Sequence, residues 1–262
     1  MSLTLAANVE MALGDDDPVT GIEHAADLGL DAIEYFDVEG ADPAAVREAS
    51  EAHGVDVAAT LTVGVARNTT GSGDSLTDPS LHERAVADLE RSIERGREIG
   101  AESLIATVGP AREETPPGIE HRAIVNALRD AAPAAERAGI TLLVEPLNVR
   151  VDHAGYYLTS SYETYEIVDA VDSPRVRALY DVYHQQITEG NVISNLRDHR
   201  EFLGHVHVAD VPGRHEPGTG ELAYGNVFDA LAETGYDGYV GLEFAPSGDP
   251  DAAVEAVRSL LP

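Results

Sequence analysis

The sequence predicts an α/β fold, a single (β/α)₈ barrel that spans residues 1–262 as one domain. Short apolar runs rich in β-branched residues alternate with segments of helical periodicity, and eight such runs can be counted. Eight parallel strands with helical crossovers close into a barrel, and 262 residues is an ordinary length for one such domain. Long connections follow the apolar runs and short connections precede them, which is typical of a barrel enzyme.

The eight predicted strands follow one another along the whole chain. In order, they are Leu3–Val9, Asp31–Phe36, Val55–Val63, Ser103–Val108, Thr141–Glu145, Val176–Asp181, His205–Ala209 and Tyr239–Phe244. The helical segments between them are clearest at Leu81–Ile99 and Glu120–Ala138, where apolar residues recur with the period of a helix. Asp78 and Pro79 stand just before the first of these, where a helix start is expected.

The loops indicate which end of the barrel carries the function. Helix-to-strand connections are short, as at His53-Gly54. The long strand-to-helix connections are Gly64–Thr77, Gly109–Pro117, Pro146–Thr159 and Asp210–Gly225. Long irregular loops are uncommon in compact domains unless they are functional, and barrel enzymes keep their active sites at the carboxyl ends of the strands. Surface insertions without a function would not be expected to gather at one end, so the loops predict an active site there.

The charge balance predicts a protein adapted to high salt. All 17 basic residues are arginine, against 47 acidic residues, and the formal net charge is −30. Unscreened repulsion of this kind opposes folding, whereas at ~1 M salt the Debye length falls to roughly 3 Å. We therefore expect a halophilic protein. No basic stripe could neutralise phosphates, so we expect no nucleic-acid partner.

Several other classes are excluded by what the composition lacks. The chain has no cysteine and no lysine, which rules out a thiol nucleophile, a cysteine-ligated metal and a Schiff-base aldolase. The start of the chain has no basic stretch before an apolar core, and no apolar run approaches the ~18 residues that span a bilayer. We expect a cytoplasmic protein with no membrane partner.

Four residues able to bind a metal lie at the ends of the last four predicted strands. They are Glu145, Asp181, His207 and Glu243. Consecutive strand ends lie side by side around a barrel mouth, and three carboxylates there would repel one another unless a cation joined them. Three oxygen donors with one imidazole suit Mn²⁺ or Mg²⁺, with Co²⁺ a further candidate, whereas zinc hydrolases offer more nitrogen donors. We therefore predict one divalent metal ion.

The seventh predicted strand contains a second histidine, His205. We expect the alternation of side chains along the strand to leave only one histidine facing the barrel interior. We assign the ligand role to His207 because it lies nearer to the carboxyl end.

Several stretches of the second half resemble the hydroxypyruvate isomerase family, within the wider xylose-isomerase-like barrels. The resemblance covers residues from about 140 to 246, while the first half fits by its barrel rhythm, with Asn8 and Glu34 as weaker points of similarity. The matching stretches are LLVEPLN (Leu142–Asn148), AGYYL (Ala154–Leu158), LYDVYHQQITEGN (Leu179–Asn191), GHVHVADVPGRHEPGTGELAY (Gly204–Tyr224) and GYVGLEF (Gly238–Phe244).

The resemblance implies a specific reaction and a role for each site residue. It places Glu145, Asp181, His207 and Glu243 at the family's metal-ligand positions, and it makes the two glutamates the acid/base pair. His184 and Arg214 match positions that contact substrate oxygens. The implied activity is an isomerase of carbohydrate metabolism that interconverts hydroxypyruvate and 2-hydroxy-3-oxopropanoate (tartronate semialdehyde) through an enediolate. The planar fork of Arg214 suits the carboxylate that both compounds carry.

Other interpretations stay open at this point. Hydroxypyruvate isomerases often carry glutamine where this chain has His207, whereas related ketose epimerases carry histidine, so a ketose 3-epimerase or another sugar isomerase is the main alternative. A non-catalytic binding protein on the same fold is a third. A metal-dependent endonuclease would need several zinc ions and a basic groove, which the sequence does not offer. A homo-oligomer is compatible with the fold, although no apolar surface stripe identifies an interface.

Overall fold

Eight parallel strands close into a barrel, with β8 hydrogen-bonded to β1, which confirms the predicted fold. The structure is a computed structural model that describes residues 3–36, 39–67, 75–112, 115–116 and 118–262. The strands are β1 (Thr4–Asn8), β2 (Ala32–Tyr35), β3 (Asp56–Leu61), β4 (Ser103–Ala106), β5 (Thr141–Val144), β6 (Val176–Asp181), β7 (Leu203–Val208) and β8 (Tyr239–Leu242). Parts of two predicted mouth loops, Gly64–Thr77 and Gly109–Pro117, lie outside the described residues.

The helices cover the outside of the barrel. They are α1 (Pro18–Asp27), α2 (Pro43–His53), α3 (His82–Ile99), α4 (Ile119–Ala138), α5 (Ser161–Val171), α6 (Val182–Thr188), α7 (Val192–Asp198), α8 (Tyr224–Glu233) and α9 (Pro250–Arg258). A π-helical turn (Val9–Leu13) and 3₁₀ turns at Gly64–Arg67, Pro79–Leu81 and Arg200–Phe202 complete the described elements. Within the described residues, no helix is both long and apolar enough to cross a membrane.

Local sequence signals explain where several helices begin. Three of them start with an Asp-Pro pair, in which the aspartate side chain accepts a hydrogen bond from a backbone N–H of the first turn and proline occupies the first helical position. These pairs are Asp17-Pro18, Asp42-Pro43 and Asp249-Pro250. The two helices predicted most clearly, α3 and α4, begin within one residue of the predicted starts and end where predicted.

The core has an outer and an inner part. The outer part is the apolar layer between the strands and the helices. A separate aliphatic cluster, which we call the aliphatic plug, fills the barrel between β3 and β6. It consists of Ala59, Ile105, Leu143 and Leu179. On the other side of the interior, strands β1 and β2 contribute the small residues Ala6 and Ala32. The space left there is occupied by polar side chains.

Candidate metal and active site

The four predicted ligand residues converge at the carboxyl ends of β5 to β8. Glu145 and Glu243 directly follow β5 and β8, Asp181 is the last residue of β6, and His207 lies in β7. Asp181 and His207 pair in register on neighbouring strands. One ligand atom from each of the four lies within 4.8 Å of the others, and all four residues are buried. Residues about 100 positions apart meet because the barrel closes.

The carboxylates of this cluster have shifted acidities. Burial, together with the nearby carboxylates of Glu243 and Asp181, raises the pKa of Glu145 to about 7. Burial also raises the pKa of Asp181, against the opposing charge of Arg214. Burial acts in the same direction on Glu243, but Arg214 and His207 outweigh it and lower its pKa below the ordinary value. Three buried carboxylates at one point are the arrangement that a divalent cation would stabilise.

The orientation of His207 fits a metal ligand. The Glu34 carboxylate is ionised, since His207 and His205 outweigh the effect of its burial and lower its pKa to about 2. An ionised carboxylate only accepts hydrogen bonds, so His207 Nε2 donates to Glu34 Oε2 over 3.0 Å. His207 Nδ1 is buried and has no hydrogen-bond partner among the described residues. It lies 3.3 Å from a Glu243 oxygen and 3.7 Å from a Glu145 oxygen, where a shared cation would satisfy all three groups.

Both histidines of β7 face the barrel interior, so the expectation that only one of them does is wrong. Side chains alternate between faces with a period of two, and residues two positions apart therefore lie on the same face. The rings of His205 and His207 lie edge to face, with centroids 4.9 Å apart. Their contacts differ: Nδ1 of His207 faces the carboxylate cluster, whereas Nε2 of His205 lies 2.5 Å from Glu34 Oε1.

His184 lies beside the cluster in the first turn of α6 and is fully buried. Asp181 caps this helix, with Oδ1 accepting from the backbone N–H groups of Tyr183 and His184, so its other oxygen remains for the site. His184 Nδ1 accepts from the backbone N–H of Asn148, which places the ring proton on Nε2. Nε2 is 3.5 Å from Asp181 Oδ2. Burial, reinforced by Arg214, holds the pKa of His184 well below its usual range, so the ring is a neutral donor.

Arg214 extends over the cluster from the loop after β7. Its guanidinium contacts Glu243, lies 3.7 Å from Asp181 Oδ2, and stacks 5.2 Å from the centre of the Tyr183 ring. The Asp210 side chain organises this loop by accepting from the backbone N–H groups of Val211, Gly218 and Leu222. Arg214, which the sequence predicts to bind a substrate carboxylate, thus contacts the carboxylate of Glu243 in this structure.

Three residues near the site were not assigned a role from the sequence. Glu34 and His205 form the contacts behind His207 described above. His153, in the loop after β5, lies with its ring centroid 5.4 Å from that of His184. The available signal for Glu34 was a charged residue inside the apolar strand AIEY. A buried carboxylate of this kind requires a partner, which the sequence alone does not identify.

A cavity also opens at the opposite, amino-terminal end of the barrel. Its volume is about 720 Å³, and its lining includes Arg47, Arg97, Arg175 and Tyr239. None of the four clustered ligand residues lines it. Since barrel enzymes place their chemistry at the carboxyl ends of the strands, the carboxylate cluster is the candidate active site.

Sequence comparisons show that most of the chain is similar to proteins named as isomerases. Residues 22–262 match the sequence model of a family described as "Xylose isomerase-like TIM barrel". A hydroxypyruvate isomerase from Escherichia coli is 28% identical, covering 96% of this chain and 97% of that protein. A 2-oxo-tetronate isomerase from Pectobacterium atrosepticum is 29% identical, covering 93% and 92%. A putative hydroxypyruvate isomerase from Danio rerio is 37% identical, but over only 51% of this chain and 49% of that protein. These names agree with the prediction of an isomerase.

Solved structures share the whole barrel. An AP endonuclease of family 2 from Brucella melitensis superposes with a TM-score of 0.88 at 24% identity, covering 98% of both chains. An L-ribulose 3-epimerase superposes with a TM-score of 0.80 at 21% identity, covering 99% of this chain and 93% of that one. At these identities the similarity shows the fold alone.

Proposed function

The chain belongs to the xylose isomerase-like TIM barrel family, and we propose that it is a metal-dependent isomerase that interconverts hydroxypyruvate and 2-hydroxy-3-oxopropanoate. The observation that carries the proposal is the convergence of four residues, Glu145, Asp181, His207 and Glu243, each of which has one ligand atom within 4.8 Å of those of the others. His207 contributes a buried nitrogen without a partner among the described residues, which supports a cation as the missing element. Relatives that cover most of the chain carry the names of this isomerase class. We propose Mn²⁺ or Mg²⁺ as the ion, with Co²⁺ as a further candidate.

The reaction moves a carbonyl group by one carbon. A proton leaves the carbon beside the carbonyl, an enediolate forms, and a proton returns to the former carbonyl carbon. The hydroxyl proton passes from its oxygen to the former carbonyl oxygen, so that the old hydroxyl becomes the new carbonyl. A cation bound by the four residues would supply the positive charge that stabilises the enediolate oxygen. The protein must add a base, an acid and groups that hold the substrate.

Glu145 and Glu243 supply the acid/base pair in this proposal. They stand at the ends of β5 and β8, on either side of His207. The pKa of Glu145 is raised to about 7, while that of Glu243 is lowered. Because the two carboxyl groups lie on the same small site, one can take a proton from the substrate while the other returns one.

Arg214 and His184 hold the substrate in this proposal. Arg214 can exchange its contact with Glu243 for a bidentate pair with the substrate carboxylate, since a guanidinium fork matches a carboxylate. His184 is neutral and presents its Nε2–H beside Asp181, so it can donate to a substrate oxygen. Together they orient the reacting carbon toward the glutamates.

The test is exchange of the proton beside the carbonyl in deuterated water. The metal-free protein is incubated with hydroxypyruvate, with and without Mn²⁺, and deuterium incorporation and product are followed by NMR. We expect exchange and product formation only with the metal. Exchange that needs no metal would show that the cation has no part in the mechanism. Absence of exchange with every small hydroxy-carbonyl compound tested would refute the isomerase activity and favour a non-catalytic binding protein.

A ketose 3-epimerase is the second candidate. It is favoured by the histidine at position 207, which related ketose epimerases share, whereas hydroxypyruvate isomerases often carry glutamine there. The same cation and glutamates would serve, because epimerisation beside a carbonyl also passes through an enediolate. Running the exchange experiment with free ketoses beside hydroxypyruvate separates the two: the substrate with the higher kcat/KM identifies the activity.

A further inference from the structure

A buried polar group lies directly behind the proposed metal ligand His207. Glu34 of β2 approaches with one carboxylate oxygen on each histidine of β7: Oε2 is 3.0 Å from His207 Nε2, and Oε1 is 2.5 Å from His205 Nε2. All three side chains are at most 2% exposed. We call them the back-side triad.

The barrel leaves space for this triad at one glycine. Gly241 of β8 pairs in register with His207. A Cβ at Gly241 would lie 2.6 Å from His207 Cδ2 and 2.8 Å from Glu34 Oε2, both too close for any side chain. The glutamate therefore reaches His207 only because β8 has no side chain at this position.

A triad of this kind is a poor way to gain stability. Taking a carboxylate and two imidazoles out of water costs free energy that their mutual attraction barely offsets, and well-packed aliphatic residues of similar volume often do better. The same barrel uses such residues in its aliphatic plug. An orienting role for the triad accounts for its presence.

We propose that Glu34, held in place by His205, is a positioning residue that sets the tautomer and orientation of His207. The inference rests on the proposed function, because it takes His207 as a ligand of the cation. A neutral imidazole carries one N–H, and a carboxylate at Nε2 keeps that proton there. Nδ1 then faces Glu145 and Glu243, and its lone pair would be available to a cation that takes the place of a proton there. Ligand histidines are generally oriented by a carboxylate or carbonyl on the far nitrogen.

His205 has a separate part in this arrangement. A carboxylate held through one oxygen can rotate, and Nε2 of His205 restricts that rotation by lying 2.5 Å from the other oxygen of Glu34, a close contact without hydrogen-bond geometry. His205 contacts Glu34 through Nε2 and the ring of His207 edge to face, so its effect on a cation would pass through these two residues.

The first experiment measures Mn²⁺ affinity by titration calorimetry of the metal-free protein. Loss of an orienting group typically costs 10–100-fold in metal affinity, so we expect about that loss for Glu34→Ala and for Gly241→Ala, which displaces the carboxylate. Glu34→Gln keeps an acceptor and should lose less. The matched control is Glu189→Gln, since Glu189 accepts three hydrogen bonds from Ser160 and Ser161 on the outside of the barrel. Its affinity should equal that of the wild type.

His205 provides a rescue test. Histidine Nε2 can be replaced by the amide nitrogen of glutamine, so His205→Gln should retain the affinity that His205→Ala loses. Equal affinities for His205→Ala and the wild type would overturn the part assigned to His205.

The second experiment needs no variant and so does not depend on any of them folding. Long-range ¹H–¹⁵N NMR of the histidine side chains, in the protein loaded with diamagnetic Mg²⁺, reports which nitrogen of His207 carries the proton. We expect the Nε2–H tautomer. A proton on Nδ1 would overturn the inference, as would undiminished Mn²⁺ affinity in folded Glu34→Ala. A wild-type protein that binds no Mn²⁺ would instead refute the proposed function itself.

Discussion

The two sides of the barrel interior are filled in opposite ways. Between β3 and β6 the aliphatic plug packs aliphatic side chains against one another. Between β7 and β2 the interior holds the back-side triad, with room left by Gly241 and Ala6. The two regions meet where Leu179 pairs in register with His205.

This contrast separates stability from function within one fold. The aliphatic plug gains free energy from burial and imposes no requirement on its neighbours beyond shape. Each polar group of the triad requires a partner and contributes little net stability. We therefore expect substitutions in the plug to affect folding, and substitutions in the triad and the carboxylate cluster to affect metal binding and turnover.

The largest effect is expected at the acid/base pair. Glu145→Gln and Glu243→Gln should each lower kcat by about 10²–10⁴-fold, the usual contribution of general acid–base catalysis. The metal-free Glu145→Gln protein should be at least as stable as the wild type, because one of three mutually repelling carboxylates is removed. Steady-state kinetics and urea unfolding measure the two quantities. Turnover that survives both substitutions would break the assignment.

The next effect tests the other side of the interior. Leu143→Ala removes a fully buried side chain from the plug and should cost about 2–5 kcal/mol of unfolding free energy. Mn²⁺ affinity of the folded variant should stay close to that of the wild type. Urea unfolding and calorimetry are the measurements, and a variant that keeps its stability but loses metal binding would reverse the comparison.

Salt should stabilise the folded protein through its surface charge, an effect that does not depend on the packing of either side of the barrel interior. The formal charge of −30 repels itself at low ionic strength, so Tm should rise as KCl increases from about 0.1 M to about 2 M. For a chain of this size, each kcal/mol of relieved repulsion should raise Tm by about 2–4 °C. The measurement is thermal unfolding at a series of KCl concentrations, with an uncharged osmolyte as control. A constant Tm would contradict the halophilic interpretation of the charge.

The smallest effect is expected outside the barrel interior, where the first and last helices meet. His24 of α1 lies 2.8 Å from Asp15 and 2.9 Å from Asp251 of α9. Partial burial opposes its charge, but the two carboxylates outweigh burial and raise its pKa above 6.5. A raised pKa of a base stabilises the fold at pH values below the ordinary pKa, and this contribution is lost as pH rises through the folded-state pKa.

The variant that tests the interaction of His24 with Asp15 and Asp251 is His24→Gln. Its unfolding free energy should fall slightly below that of the wild type near pH 6, by tenths of a kcal/mol as for other partly exposed pairs, and match it near pH 9. Urea unfolding at both pH values is the measurement. A difference that is larger at the higher pH would show the opposite linkage.

Much of the barrel and of the candidate site follows from local signals in the sequence. Runs such as TLLVE and VRALYD are apolar segments that end in a carboxylate, and consecutive strand ends in a barrel must lie side by side. Asp-Pro pairs indicate helix starts because their effects are confined to one turn. Because the ends of consecutive strands lie side by side, Glu145, Asp181 and Glu243 could be placed together without a structure.

The tertiary structure alone decided what surrounds those residues. Glu34 and His207 are 173 positions apart, and they meet only because β1 closes on β8 and Gly241 leaves the gap between them. The contact of Arg214 with Glu243 likewise depends on the path of the loop after β7. Strand positions are set by hydrophobic periodicity, which is local, whereas contacts across a barrel depend on closure, register and the volume of every inward side chain, which are properties of the whole sheet.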